Sequence, residues 1–256
     1  SAPKKLGVPD SWEDVGFGVD AGLIGNRTTG VVTARPGGNG NSTSPYLLTN
    51  AEQLAWFGYQ VNHGKPKIYG TMTTDIDLFG TPYTGITYDA GADNIDDAVK
   101  WKPMGLRSSD WNTGYQGTFD GDGYLLNHLK VKVTGFGDMA GFIEVLGGAG
   151  TSGVVKKLGL QSGKITASAY AGGIAGVMMG RGSMISGCWN GTDIVGPTGM
   201  TGSGLGGIVG LIGIADHRSS GLVIEGCWNE GTIAGKVWTN SYFGGMAGRC
   251  LIRKTL

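Results

Sequence analysis

The residues able to do acid–base or metal chemistry are few and scattered. Asp75 and Asp77 flank Ile76 in the stretch DIDL. On an extended strand both carboxylates point to one face, while Ile76 and Leu78 point to the other. Such a pair could bind calcium or move a proton, or it could simply form a solvated strand face. Asp120 and Asp122 in DGDG begin like a calcium loop, but the later ligands of that loop are missing, and a tight turn accounts for them. DNIDD at 93–97 supplies a third acidic cluster and reads as an exposed insertion. His63, His128 and His217 are far apart; none adjoins a glutamate or stands four residues from a second histidine, so the H-E-x-x-H pattern of a zinc protease is absent. Polysaccharide-cleaving enzymes need a carboxylate pair, or a base with calcium, beside a groove. From residue 125 onward the acids are thin and form no close pair. These residues give no grounds to assign a catalytic, cofactor-binding or metal-binding role.

The second candidate for chemistry is a glycine-rich hexapeptide written three times: AGGIAG at 171–176, LGGIVG at 205–210 and FGGMAG at 243–248. A dinucleotide loop is G-x-G-x-x-G between a strand and a helix. Here the order is apolar-G-G-apolar-apolar-G, with no helix signal after it and no G-x-x-x-x-G-K-[ST] loop elsewhere. Repetition favours structure over phosphate binding. Ile185 opens ISGCWNGTDIVG and Ile224 opens IEGCWNEGTIAG, so Cys188/Cys227, Trp189/Trp228 and Asn190/Asn229 recur at one offset. VVKKLGLQSGKITAS at 154–168 follows the same template with Leu158 in the cysteine place, and LLNHLKVKVTG before MAGFIEV is a degenerate copy. About four units of solenoid length result.

Within a unit the segments are short and apolar, bounded by Gly, Asn and Asp, and they alternate with a period of two, which predicts strands. Glycine this dense would cost about 1 kcal/mol per residue inside a helix. Each unit therefore reads as two or three short strands that cannot bury their apolar face alone. Stacking the copies at about 4.8 Å per coil buries a continuous column. The fold class predicted is all-β, a right-handed parallel β-solenoid. Ile174, Ile208 and Met246 should stack in one buried column, each on a strand.

Trp189 and Trp228 then stack as well. Their rings form either an exposed platform for sugar rings or a partner protein, or a packing that stabilises the turn. Cys188 and Cys227, one residue earlier, should point inward as a buried apolar ladder. A disulfide between adjacent coils would strain a flat parallel ladder.

Composition bounds the rest. The 256 residues carry 20 Lys+Arg and 20 Asp+Glu, so zero net charge offers no overall attraction for nucleic acid or an anionic membrane. Glycine reaches 51 with only 8 prolines and no strict triplet period, which excludes collagen. Three cysteines are too few for a disulfide scaffold, and no apolar run is long enough for a membrane span. Asn26, Asn41 and Asn190 fit N-x-[ST].

Residues 45–62, PYLLTNAEQLAWFGYQVN, differ from the repeats. Thr49 and Glu52 form a T-x-x-E capping box. Leu54, Phe57 and Val61 follow at helical spacing, which predicts a helix of about 50–62 closing the exposed first coil. The string LLTNAEQLAWFGYQVNHG, then TTDIDLFG, WKPMG and YQGTFDGDGYLLNHLKV, followed by GGIAG-type repeats, resembles bacterial surface proteins with GLUG motifs. These include Bacteroides-type adhesins and the β-helical region that accompanies immunoglobulin A peptidases. The resemblance runs from about Pro45 to Gly248. It implies a secreted or surface-exposed bacterial β-helix with adhesion-like roles.

The organisation expected is a lead segment over 1–44 and a solenoid over 45–256, with irregular first coils at 65–135 and repeats at 125–250. The expected function is noncatalytic: adhesion, binding of a host protein or glycan, or spacing within a larger surface protein. No cofactor and no nucleic acid partner are expected. The rival reading is a carbohydrate-active β-helix enzyme or an accessory region of a surface protease. The last unit stops at LIRKTL without a further I-x-x-C-W-N segment. An open solenoid end is therefore expected there, covered by a neighbour or a continuation, with Arg249, Arg253 and Lys254 as the charges available to blunt it.

Overall fold

The computed structural model describes residues 23–25, 32–78, 100–133, 135, 137–196, 202–214, 219–235 and 240–251. Its body is a parallel β-solenoid whose coils have five sides. Coil 2 comprises Thr118–Asp120, Leu125–Asn127, Leu129–Lys132, Met139–Ala140 and Ile143–Leu146, on sides 1 to 5 in order. Coil 3 repeats the path with Val154–Lys156, Gly159–Leu160, Gly163–Thr166, Tyr170–Gly172 and Ala175–Met178. Coil 4 does so with Met184–Ser186, Trp189–Asn190, Asp193–Val195, Gly204–Gly206 and Val209–Ile212. Coil 5 is Val223–Glu225, Trp228–Asn229, Ile233–Ala234, Tyr242–Gly244 and Ala247–Cys250. Below them coil 1 holds Gly70–Met72 on side 1 and Ile76–Asp77 on side 2, and single bridges carry Lys100 to side 3 and Met104 to side 5. Tyr46–Leu48 begins side 1 beneath that, and a short antiparallel pair, Leu23–Gly25 with Val32–Ala34, precedes the stack.

Every side is one parallel sheet in strict register, so residues at the same place in successive coils form columns. Phe119, Val155 and Ile185 form one and are completely buried. Leu129, Val131, Ile165 and Ile194 line side 3 in the same way. Each such side chain contributes roughly 1.5–3 kcal/mol through burial. Coil 5 repeats the columns with Ile224 and Ile233, which are only partly buried. Val223, Trp228, Tyr242 and Phe243 are exposed there, because no further coil of the described residues covers them. Cys250 is exposed as well, and Arg249 lies over the Tyr242 ring; Arg253 and Lys254 fall outside the described residues.

The glycine hexapeptide forms the corner between sides 4 and 5. Ile174, Ile208 and Met246 do stack: Ile174 N–H donates to Ile208 O at 3.1 Å, and Ile208 N–H to Met246 O at 3.0 Å. Ile174 and Ile208 are buried as expected and Met246 only partly, and all three sit in the bend between two strands and not on a strand as expected, because the glycine pair before each of them interrupts the extended run. The corner is re-entrant. A Cβ on Gly176, Gly210 or Gly248 would strike the backbone of side 4, so the two sides press together with backbone against backbone. Their other apolar residues, Met139, Val145, Val177, Met179 and Leu211, meet in a second, smaller core. The tip of the corner reaches across the interior to side 2. A Cβ on Gly173 would fall on the Asn190 carboxamide, and one on Gly207 would fall on Asn229. The two repeated motifs, GG-apolar and CWN, are thus the opposite walls of one contact.

The helix runs Ala51–Asn62. Its capping residues differ by one from the T-x-x-E reading. Asn50 is the N-cap and its carboxamide accepts from Gln53 N–H at 2.9 Å, while Gln53 Oε1 accepts from the N–H and the hydroxyl of Thr49, each at 2.8 Å. Asparagine outranks threonine at this position, and Glu52 is left as an acid in the first turn, where the helix dipole favours it. Leu54 and Phe57 are completely buried. Phe57 packs edge-on against Tyr115 and Phe119 at 6.1 and 5.9 Å, and Gly58 lies against Trp101 and Met104. The helix therefore closes the interior of the first coils.

Two outcomes test this architecture by urea unfolding. Gly173→Ala or Gly207→Ala should destabilise the protein by about 1–3 kcal/mol through overpacking. Gly245→Ala, at the same motif position but with open space around it, should leave stability within about 0.5 kcal/mol. Phe57→Ala should cost about 3–5 kcal/mol, whereas a helix merely leaning on the surface would tolerate it.

Candidate functional site

Side 2 carries the feature that most resembles a binding surface. Alternation sends Leu125, Gly159, Trp189 and Trp228 outward in one column. The two indoles stack with centroids 6.2 Å apart and planes 21° from parallel. Trp189 is half-buried because it rests on Gly159, where a Cβ would be caught between Leu125 and the Trp189 ring. Its indole Nε1 is buried without a hydrogen-bond partner. Trp228 covers it from the other side and is 50% exposed. The ladder thus joins the two sequence readings: Trp189 packs, and Trp228 presents an open aromatic face. Two residues along, coils 1, 2, 3 and 5 place the polar residues Asp77, Asn127, Gln161 and Glu230, while coil 4 places Gly191 beside Trp189.

Beneath the indoles the same strands send Cys188 and Asn190 inward, as the alternation around Trp189 requires. Asn190 is fully buried and saturated. Its Nδ2 donates to Asn229 Oδ1 at 2.7 Å and to Thr192 O at 3.1 Å, and its Oδ1 accepts from Thr192 N–H at 3.1 Å and from the Thr192 hydroxyl at 2.5 Å. The N-x-[ST] pattern at Asn190 therefore serves the core. This amide ladder was legible as a repeated Asn but not as a buried one. Cys188 and Cys227 form the inward ladder expected of them, with Cys188 N–H donating to Cys227 Sγ at 3.4 Å; both thiols and Cys250 are free. A thiol–thiol hydrogen bond that Cys188 donates to Cys227, together with burial, pushes the Cys188 thiol far up, while accepting that bond holds Cys227 down at about 7.

The acidic candidates serve the fold. Asp75 and Asp77 are exposed on one face with Ile76 and Leu78 buried behind them. Asp75 Oδ1 accepts from Leu125 N–H at 2.8 Å, and Asp77 Oδ1 lies 2.8 Å from His128 Nδ1. Asp120 pairs with Lys156 at 2.9 Å and accepts from Asp122 N–H at 2.9 Å, with Asp122 in the left-handed conformation of the turn. DNIDD, His217 and Asn26 lie outside the described residues. Among the described residues, no three His, Cys, Asp or Glu side chains are grouped to hold a metal ion.

Comparison with known proteins supports the architecture. No protein-family model matches the chain, and no curated protein does. Among solved structures, a candidate immunoglobulin A1 protease from Bacteroides ovatus superposes with a TM-score of 0.56 at 22% identity, over 85% of this chain and 65% of that one. The likeness is one of fold, and the chain spans about two thirds of that neighbour's length. No helix among the described residues is long and apolar enough to cross a membrane.

The thiols give a direct check on the inward ladder. Alkylation of the native protein should modify Cys250 freely, and Cys227 increasingly as pH rises through about 7, where its thiolate forms. Cys188 should react only after unfolding. Mass spectrometry of peptides after a pH series reads all three, and early labelling of Cys188 would contradict the buried ladder.

Proposed function

We propose that the chain is a noncatalytic, surface-exposed bacterial β-solenoid that binds a glycan or a partner protein through side 2. The observation that carries this reading is the open face of Trp228, backed by Trp189, with Glu230 two residues along its own strand and Gln161 at that place in coil 3. An aromatic face accepts the C–H side of a sugar ring, and adjacent amides and carboxylates accept or donate to its hydroxyls. A rigid strand ladder holds these groups at a constant spacing, so a ligand need not order them on binding. The resemblance of the repeats to those of GLUG-motif surface proteins, and the fold shared with a Bacteroides protein described as a candidate immunoglobulin A1 protease, support secretion or surface display and an adhesive or spacing role. The second reading, an accessory region of a surface protease, draws on that same neighbour. The carboxylates described above argue against a hydrolytic centre of their own, since Asp75, Asp77 and Asp120 are engaged by the backbone, His128 and Lys156.

The test is a glycan array and a panel of matrix proteins, probed with native protein and with Trp228→Ala. Binding should be lost in the variant while stability changes by less than about 1 kcal/mol, because the ring is half exposed. Trp189→Ala should cost about 2–4 kcal/mol, as it removes a packed ring. Equal binding by native protein and Trp228→Ala would dismiss the platform.

A further inference from the structure

Cys188 and Cys227 hold the same place in coils 4 and 5, one residue before the stacked indoles. The backbone ladder fixes them there. Gly187 N–H donates to Glu225 O at 2.9 Å, and Trp228 N–H donates to Cys188 O at 3.1 Å. Neither cysteine lies in a flat strand. Gly187 and Gly226, with φ of 60° and 58°, bend the chain between sides 1 and 2, and each cysteine follows its glycine. At this bend the Cys227 sulfur leans toward coil 4. It accepts from Cys188 N–H at 3.4 Å, and it lies 3.6 Å from Ile185 O. The strain expected of a bridge in a flat ladder therefore does not apply: the sulfur already points at its partner. Stacked backbones about 4.8 Å apart also fall within the Cα separation of about 4.4–6.8 Å that a disulfide spans.

The two thiols differ in their surroundings. Cys188 is completely buried, with Leu158 of coil 3 on one side and Cys227 on the other. Cys227 is only partly buried. Accepting the thiol hydrogen bond of Cys188 holds Cys227 down at about 7, so a large share of it is thiolate near neutral pH, and the thiolate is the nucleophilic form. An accessible, ionisable sulfur thus sits directly over a buried, protonated one. Reactive cysteines with an adjacent resolving thiol have this arrangement.

We propose that Cys227 and Cys188 are a modification site for hydroperoxides, which convert them to a disulfide joining coils 4 and 5. The Cys227 thiolate attacks the terminal peroxide oxygen. The O–O bond breaks, Cys227 becomes a sulfenic acid, and the departing oxygen takes a proton from water. The Cys188 sulfur then attacks the Cys227 sulfur. The S–S bond forms, the S–O bond breaks, and the hydroxyl leaves with the Cys188 proton as water. Two thiols are oxidised by two electrons, and one hydroperoxide is reduced to an alcohol, or to water, with one further water released. The bridge ties residues 39 apart, which restricts the unfolded chain. It fastens coil 5, whose Ile224 and Ile233 are only partly buried, to the dry coil beneath. The site stands whether or not side 2 binds a ligand.

The experiment treats the full chain carrying Cys250→Ser, which removes the third thiol, with hydrogen peroxide. Free thiols are then blocked under denaturing conditions, and the peptides are mapped by mass spectrometry. A Cys188–Cys227 linked peptide should appear in monomeric protein and vanish on reduction. With Cys188→Ser added, oxidation should stop at a Cys227 sulfenic acid that dimedone captures. With Cys227→Ser instead, Cys188 should oxidise at least ~10-fold more slowly. In the bridged protein, amide hydrogen exchange in Val223–Glu225 and Ile233–Ala234 should slow ~10-fold or more and recover on reduction. Persistence of both thiols, a Cys227 sulfenic acid that survives beside Cys188, equal oxidation of Cys188 without Cys227, or bridges formed only between molecules would each overturn the proposal.

Discussion

The contact between the glycine corner and the asparagine pair is the constraint on which the interior of the later coils depends. The corner between sides 4 and 5 turns inward, so its backbone crosses the core and meets side 2. A side chain at Gly173 or Gly207 would occupy the place of Asn190 or Asn229. Asn190 is fully buried and Asn229 partly so, and a buried amide costs several kcal/mol unless its hydrogen bonds are made. Asn190 makes them to Asn229 and Thr192. Coil 5 thus supplies a partner for coil 4, and there the register is specified by polar groups as well as by apolar columns; in coils 1, 2 and 3 the same place is held by Ile76, Leu126 and Leu160.

From that register the surfaces follow. Parallel, in-register stacking converts a residue that recurs once per coil into a line on the outside. A tryptophan becomes a stacked pair with one open face. That line needs no loop to position it, since the strands beneath are locked by buried neighbours such as Leu158 and Leu160.

The ends behave differently for a physical reason. At the first coils a helix supplies Leu54 and Phe57 as a plug of apolar volume, and the Asn50 cap with Gln53 and Thr49 satisfies its first N–H groups. At coil 5 the same columns that are dry in coil 4 are partly wet, and Trp228, Tyr242 and Phe243 are exposed. The cation of Arg249 over Tyr242, with its Nη1 3.3 Å from the Tyr170 hydroxyl, shields one part of that edge.

Much of this was legible in one dimension. The repeated AGGIAG and CWN strings, with two-residue alternation between turn residues, determine a parallel solenoid, the inward cysteines and the paired tryptophans, because periodicity and strand alternation act locally. The closing helix was legible too, although Thr49 and Glu52 were a residue away from the atoms that cap it; several neighbouring polar side chains can cap a helix, and only their geometry selects one. What only the tertiary structure decided depends on which coil lies above which. The inward turn of the glycine corner, its meeting with Asn190 and Asn229, and the separate core of Met139, Val177 and Leu211 all come from side-to-side packing across the coil. Cys188 and Cys227 share one place in the repeat, yet one thiol is sealed and the other partly open. Coil 5 covers the first, and no further coil of the described residues covers the second, because burial belongs to the stack and not to the motif.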